Sequence, residues 1–395
     1  MTGSATYNGT RLKTLRALLG LTQGELGRRL GLAQAQLSRI ERGYAGLTEE
    51  VAHSASEAFA QPLSFFQVPE SPIPLGPVAF RSTSELSAAR RNQVRELHAE
   101  AARTFYETSL RSQYRVFNAT TFAPPSRDAE EAARAVRQHL GLGDDAPVKN
   151  LVRTLELLGI GVVVDLADPF DDDTSPSQRA QVSGISAPTI RNDRPLVATL
   201  SIGRGDVQRL TIGHELGHLI LHHDAPTISC SSRQPQEREA FAFAAHFLVP
   251  RIAMQNRITE QSMLSDFLAL KMEYGISASA GVMHAHRLGL ISDERNKSLR
   301  LQISARKWKY EEPVDVSPET PRLFGQALAR IFPTATYARA SHDLGLGLEQ
   351  LERWAPLPSR PVKSSISSHA STQRNASHRP TANITDIFTH RSSRR

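Results

Sequence analysis

The stretch Thr211 to Asp224, TIGHELGHLILHHD, constrains this chain more than any other, because it contains His214-Glu215-x-x-His218. On a helix, residues four apart lie on one face about a turn apart, so the two imidazoles converge on a single ion. The segment is therefore read as a helix carrying half of a zinc site. Glu215 falls just off the same face, where a carboxylate takes a proton from an activated water and passes it to a leaving amine. It is the candidate general base.

The rest of the composition bounds the setting. A chain of 395 residues, 39% of them hydrophobic, is long enough for two or three domains with real cores. A single cysteine, Cys230, excludes an intramolecular disulfide and points to a reducing compartment. No run approaches the roughly 18 apolar residues of a membrane span, and the polar start MTGSATYNGT has no signal-peptide core, so a cytoplasmic protein is expected. The formal charge of +7 makes nucleic acid a plausible partner, the more so because the basic residues gather towards the two ends.

From Arg11 to Arg42 the pattern predicts three short helices. Leu12, Leu15, Leu18 and Leu19 form an apolar stripe that Gly20 ends, Thr22 and Glu25 form a capping box, and a third helix runs from about Ala33 to Arg42 and stops at Gly43. Leu26, Gly27, Leu30, Gly31, Leu32, Leu37 and Ile40 give the spacing of a helix-turn-helix. Seven Lys or Arg against two acids between residues 11 and 44 suit a phosphate-facing surface. Glycine at 27 has a packing reason, whereas none is evident for Gly24. Thr48 to Ala60 is read as a closing helix.

The fragments GLTQGELGRRLGL and QLSRIERG resemble the Cro and lambda-repressor (XRE) type of helix-turn-helix. The resemblance implies a five-helix DNA-binding domain. In it Gln23 holds a phosphate at the start of its helix, and Gln34, Gln36 and Arg39 face the major groove of a double-stranded operator, with a homodimer as the binding form. Glutamine reads adenine with two hydrogen bonds and arginine reads guanine.

Downstream, Ser84 to Val116 is a long helical pattern read as a spacer or a dimer helix. Ala129 to Leu140 and Val148 to Leu158 are read as amphipathic helices. Ile160 to Leu166, Val182 to Ser186 and Leu196 to Ile202 are expected to form a small sheet, with a polar loop over Asp168 to Arg179. Asp206 is expected to cap the metal-motif helix.

A hydrolytic zinc site takes three protein ligands plus water, so a third donor is needed. The segment QEREAFAFAAHFLV, Gln236 to Val249, offers Glu237 and Glu239. Two residues turn a helix by about 200°, so only one of them can face the ion. Here the chain resembles the ImmA/IrrE family of zinc-dependent peptidases, in which H-E-L-G-H is followed by E-x-x-A-N-x-F-A-A-x-L-L-x-P. Glu237, Ala240, Phe243, Ala244, Ala245, Leu248 and Pro250 match that second block. The resemblance implies Glu237 as the third ligand of a zincin-like (gluzincin) domain, together with His214 and His218. Two positions depart from the pattern: Phe241 stands where Asn or Asp is usual, and Gly213 where alanine is common. A phenylalanine at 241 removes a polar contact that would orient a ligand.

EEAARAVRQHLGLGDDAPVKNLVRTLELLGIGVVV and YGISASAGVMHAHRLGLIS extend the same resemblance to members fused with an XRE domain. Such fusions imply transcriptional regulators, some of which cleave a repressor or sit in toxin and antitoxin pairs. His222 is too far along the helix axis to share the ion and is read as a packing or substrate-side histidine. His223 with Asp224 is read as a surface pair, and Tyr274 and His246 as candidate helpers of a tetrahedral intermediate. Tyr337 to Leu351 carries a fainter helix-turn-helix resemblance beside a packing role.

The expectation is an α+β, mostly helical chain, with an XRE domain over 1–70, a helical linker over 71–125, a zinc peptidase domain over 126–315, a small helical unit over 316–356 and a disordered basic tail over 357–395. Its function would be DNA-binding regulation with cleavage or control of a partner regulatory protein such as a repressor or antitoxin. The alternative is a repressor or toxin-antitoxin component whose zinc domain only senses or binds.

Overall fold

Four helices and a 3-10 turn open the chain: α1 (Thr10–Leu18), α2 (Gln23–Leu30), α3 (Gln34–Glu41), α4 (Glu49–Ala58) and the turn Leu63–Gln67. The capping box at the head of α2 is present: the Thr22 hydroxyl accepts from Glu25 N, and the Glu25 carboxylate accepts from Thr22 N at 2.7 Å. Leu12, Leu15, Leu26, Leu37, Ala52, Phe65 and Phe66 close a small core. Gly27 is there for packing, since a Cβ would meet Leu32 O at 2.8 Å, while a Cβ on Gly24 would meet nothing.

The computed structural model describes residues 7–69, 79–80, 88–124, 126–166, 184–189, 191–200, 203–226 and 234–357, with backbone alone at 79–80 and 88–90. The expected polar loop over Asp168 to Arg179, Cys230 and the expected basic tail beyond residue 357 lie outside the described residues. Among the described residues no helix is long and apolar enough to cross a membrane.

After strand β1 (Ala79–Phe80), α5 (Ala88–Arg111) crosses the molecule. It was expected as a spacer or dimer helix, but Val94, Leu97, Ala101 and Phe105 are buried within the chain. Arg11 of α1 gives two hydrogen bonds to Glu100, at 2.9 and 2.7 Å, and Arg103 gives two more at 3.2 and 2.6 Å. Burial alone would raise the Glu100 carboxyl, but the charges of Arg103 and Arg11 and their hydrogen bonds bring it down to about 2. A three-member buried ion cluster thus ties the helix-turn-helix segment to α5. The helix stops at Arg111 instead of running to Val116, because Gln113 turns to φ +56°.

Beyond α6 (Ala129–His139), α7 (Leu151–Leu158) begins three residues later than the periodicity suggests. Asn150 is its N-cap, accepting from Arg153 N at 2.7 Å, and Val148 O is taken by the Arg209 guanidinium at 2.6 Å. The sheet has the order β1-β3-β4-β2, with β2 (Gly161–Val163) and β4 (Leu196–Thr199) shorter than expected and β3 spanning Gly184–Ser186 of the described residues. β2 and β4 are parallel; β3 is antiparallel to both β4 and β1, with Ala79 opposite Ser186 and Phe80 opposite Ile185. β1 was not foreseen from the sequence.

Helix α8 (Gly205–Leu221) carries the metal motif and is buried along almost its whole length between sheet, α7 and α9 (Pro235–Leu248). Its N-cap is Arg204, not Asp206. Asp206 is one residue inside the helix, where its carboxylate accepts from buried Lys271 at 2.9 Å and from Arg204, so it is not available to cap. Helices α10 (Arg251–Gln255), α11 (Leu264–Tyr274), α12 (Ala278–Arg287) and α13 (Asp293–Ala305) complete the large core. The last helices, α14 (Leu323–Ile331), α15 (Thr336–Leu344) and α16 (Leu348–Trp354), pack back on α5 and the 3-10 turn. Phe324 meets Phe105 edge to face at 5.5 Å, and Trp354 Nε1 donates to Leu166 O at 3.0 Å. Within Tyr337 to Leu351, Ala340, Leu344, Leu346 and Leu351 are buried, and Leu344 O accepts from Arg103 of α5 at 2.9 Å. The fold is α+β and mostly helical.

Candidate metal centre and helix-turn-helix surface

The metal-motif helix meets its neighbour unusually closely, and the reason is small residues on both sides. Gly213 and Gly217 of α8 are one turn apart and face Ala244 and Ala240 of α9, also one turn apart. A Cβ on Gly217 would fall 3.0 Å from Ala240 Cα and 3.2 Å from Phe243 Cβ, and one on Gly213 would fall 3.3 Å from Ala244 Cβ. This close crossing brings the first turn of α9, with Glu237, over the two imidazoles.

His214 Nε2 and His218 Nε2 are 3.1 Å apart, Glu237 Oε2 is 3.3 Å from the first and Glu237 Oε1 3.2 Å from the second. All three residues are buried and form a group of donors of the kind that holds a metal ion. The spacing suits zinc: tetrahedral bonds of roughly 2.0–2.1 Å place neighbouring donors about 3.3 Å apart. Two imidazoles and one carboxylate leave a fourth position for water. Burial alone would raise the Glu237 carboxyl, but the two imidazoles, by hydrogen bonding and charge, hold it at about 2, in the charged form that a ligand needs.

Glu215 is buried at the next position and reaches the sheet. Ser186 Oγ, at the end of β3, donates to Glu215 Oε2 at 2.5 Å. Gly184 leaves room for the other oxygen, since a Cβ there would lie 2.5 Å from Glu215 Oε1. A candidate base is thus anchored on one oxygen by a strand hydroxyl. The Phe241 ring lies 4.1 Å from the His214 ring, so an aromatic face stands against this imidazole where the resemblance leads one to expect an amide or carboxylate.

Glu239 does not approach the donor group; it accepts from His222 Nε2 at 2.9 Å. His222 is buried, and its Nδ1 is 2.9 Å from His218 Nδ1, so it packs behind one of the donors. His223 and Asp224 do not pair with each other: His223 Nδ1 meets Ile220 O at 2.7 Å, and Asp224 accepts from Arg127 at 2.7 Å. Tyr274 is fully buried, with its hydroxyl donating to Asp145 O at 2.7 Å. His246 packs edge to face on His284, beside Glu130. Neither joins the donor group. Ser186 and the His222–Glu239 contact gave no sequence signal; the glycine pair opposite the alanine pair did, in the i, i+4 spacing of both.

At the N-terminus, Gln34, Gln36 and Arg39 stand exposed on α3. Gln23 is turned inward: its Nε2 donates to Glu41 Oε2 at 2.7 Å, and the same carboxylate receives Arg16 at 2.9 Å. These contacts lock α1, α2 and α3 together and leave α3 to present its outer face.

Comparison with known families gives two matches. Residues 12–66 match the helix-turn-helix family and residues 206–285 match the IrrE N-terminal-like domain. The second span covers α8 and α9, hence all three donors and Glu215. Among curated proteins none matches the chain.

Proposed function

We propose, starting from a chain that joins an XRE-type helix-turn-helix to an ImmA/IrrE-like metallopeptidase domain, that the protein is a cytoplasmic, homodimeric transcriptional regulator that cleaves a partner regulatory protein at a zinc site. The observation that carries this reading is the burial of the Glu215 carboxyl, adjacent in the motif to the donor His214 and anchored by Ser186. A site that only holds structure has no need of a base.

His214, His218 and Glu237 would hold the ion. Bound zinc would supply Lewis-acid polarisation of a peptide carbonyl. Glu215 takes the proton of the attacking water and returns it to the leaving amine nitrogen. Ser186, by its hydrogen bond to Oε2, fixes the orientation of this carboxyl. On α3, Gln34, Gln36 and Arg39 read the operator, which places the peptidase where a DNA-bound substrate sits and raises its effective concentration.

The test is Glu215→Gln beside His214→Ala in a reporter strain, with a blot for the partner. Glu215→Gln is expected to keep zinc, fold and operator binding while losing cleavage and the transcriptional response. A normal response from Glu215→Gln would remove catalysis from the function and leave a repressor with a sensory or structural metal domain.

A further inference from the structure

The donor group has a second layer that uses two residues outside it. His218 presents Nε2 to His214 and Glu237, at 3.1 and 3.2 Å, which turns its other nitrogen, Nδ1, away from the donors. That Nδ1 is 2.9 Å from His222 Nδ1, and His222 Nε2 is 2.9 Å from Glu239 Oε2. His222 is fully enclosed, whereas Glu239 is about two-fifths exposed and ends the series at the surface.

Counting protons fixes the direction of every bond. When His218 Nε2 offers its lone pair to a metal, the ring's N–H must sit on Nδ1. It then donates to His222 Nδ1, which must carry a lone pair, so the His222 N–H sits on Nε2 and donates to the Glu239 carboxylate. Each ring has one donor and one acceptor, and the acceptor-only carboxylate closes the series. No other assignment of two neutral imidazoles satisfies both contacts together with a ligating Nε2.

We propose that His222 and Glu239 are a positioning pair for His218: they fix its tautomer and ring angle and make its ligating nitrogen a stronger donor. A partner of this kind on a ligating histidine is typically worth 10–100-fold in metal affinity. The pair explains why Glu239, which faces away from the donors, is held at all, and why a histidine one turn beyond the motif is buried without joining the ion. The proposal rests on His214, His218 and Glu237 being the zinc ligands.

The experiment is zinc competition against a chelator on the full chain, for the wild type, His222→Leu, His222→Asn and Glu239→Ala, with apo-protein melting as the fold control and the visible spectrum of the cobalt-loaded form as a readout of ligand geometry. His222→Leu is expected to weaken zinc 10–100-fold and to alter the cobalt bands. His222→Asn places an oxygen where Nδ1 was and restores most of the affinity. Glu239→Ala, a change at a half-exposed position, weakens zinc by a smaller factor with the apo melting point unchanged. Wild-type affinity and spectrum in His222→Leu overturn the proposal, as does His222→Asn being no better than His222→Leu. Failure of the wild type to take up zinc overturns the ligand reading itself, and the proposal with it.

Discussion

The two glycines of the metal-motif helix offer a graded test of how the site is built. Alanine at 217 would put a Cβ 3.0 Å from Ala240 Cα and from its carbonyl oxygen. Carbon atoms rest at about 3.5–4.0 Å, so the helices must part by roughly 0.5–1 Å, and the obstacle is backbone that cannot swing aside. At 213 the contact is 3.3 Å to a methyl group, which needs only a few tenths of an ångström. Overpacking of this kind costs about 1–3 kcal/mol, against about 1 kcal/mol gained in helix propensity when glycine becomes alanine. Gly213→Ala should therefore lie within about 1 kcal/mol of wild type, and Gly217→Ala should lose about 1–2 kcal/mol. The larger shift also moves Glu237 off the imidazoles by more than the roughly 0.2 Å that metal bonds tolerate, so Gly217→Ala should bind zinc more weakly. Calorimetric melting of the apo forms and zinc competition on both variants measure this. A Gly217→Ala protein as stable as wild type, with unchanged zinc affinity, would refute the close-crossing argument.

Other outcomes rest on the same physics. Glu100→Gln leaves the enclosed Arg11 charge without its counter-ion and Arg103 with only Glu107 at 3.6 Å, and should cost about 3–5 kcal/mol by chemical denaturation. A loss under 1 kcal/mol would show the cluster to be dispensable. In wild type the folded Glu100 carboxyl titrates near 2 against an ordinary 4.5, so its contribution is present above pH 4.5 and drains away as pH falls from there towards 2. Burial holds His98 down to about 4 despite the hydrogen bond from its Nε2 to Leu196 O. The unfolded ring takes its proton first, near 6.5, so stability is complete above that pH and is lost as pH falls from 6.5 to 4. The stability difference between wild type and His98→Gln should change across that window, and a constant difference would contradict it. In gel shifts, Gln34→Ala should relax discrimination at one base pair by about 1–3 kcal/mol, while Arg28→Ala should weaken specific and scrambled DNA alike. Equal loss on both DNAs for Gln34→Ala would rule out base reading by that residue.

Much of this was legible because short-range rules decide it. The capping box of Thr22 and Glu25, the i, i+4 imidazoles and the helix over Glu237 depend on neighbours in sequence, and the resemblance supplied the choice of Glu237 over Glu239, which the structure turns towards His222. What escaped depends on long-range partners. Asp206 fits a capping position by type, yet Lys271, far along the chain, claims its carboxylate. The long charged pattern that became α5 reads as a spacer or a dimer helix until Arg11 is found to neutralise Glu100 from α1. Ser186 sits on a three-residue strand with no periodicity to mark it, and only the sheet register brings it to Glu215. Gly213 looked like a mere departure from a pattern until Ala244 was found opposite.

The central claim is that His214, His218 and Glu237 together hold one zinc ion, and metal analysis of the purified full chain tests it most directly. Wild type should carry close to one zinc per chain, Glu237→Ala and His214→Ala should carry almost none, and Glu239→Ala should keep it at saturating zinc. A metal-free wild type, or full zinc in Glu237→Ala, would contradict the account.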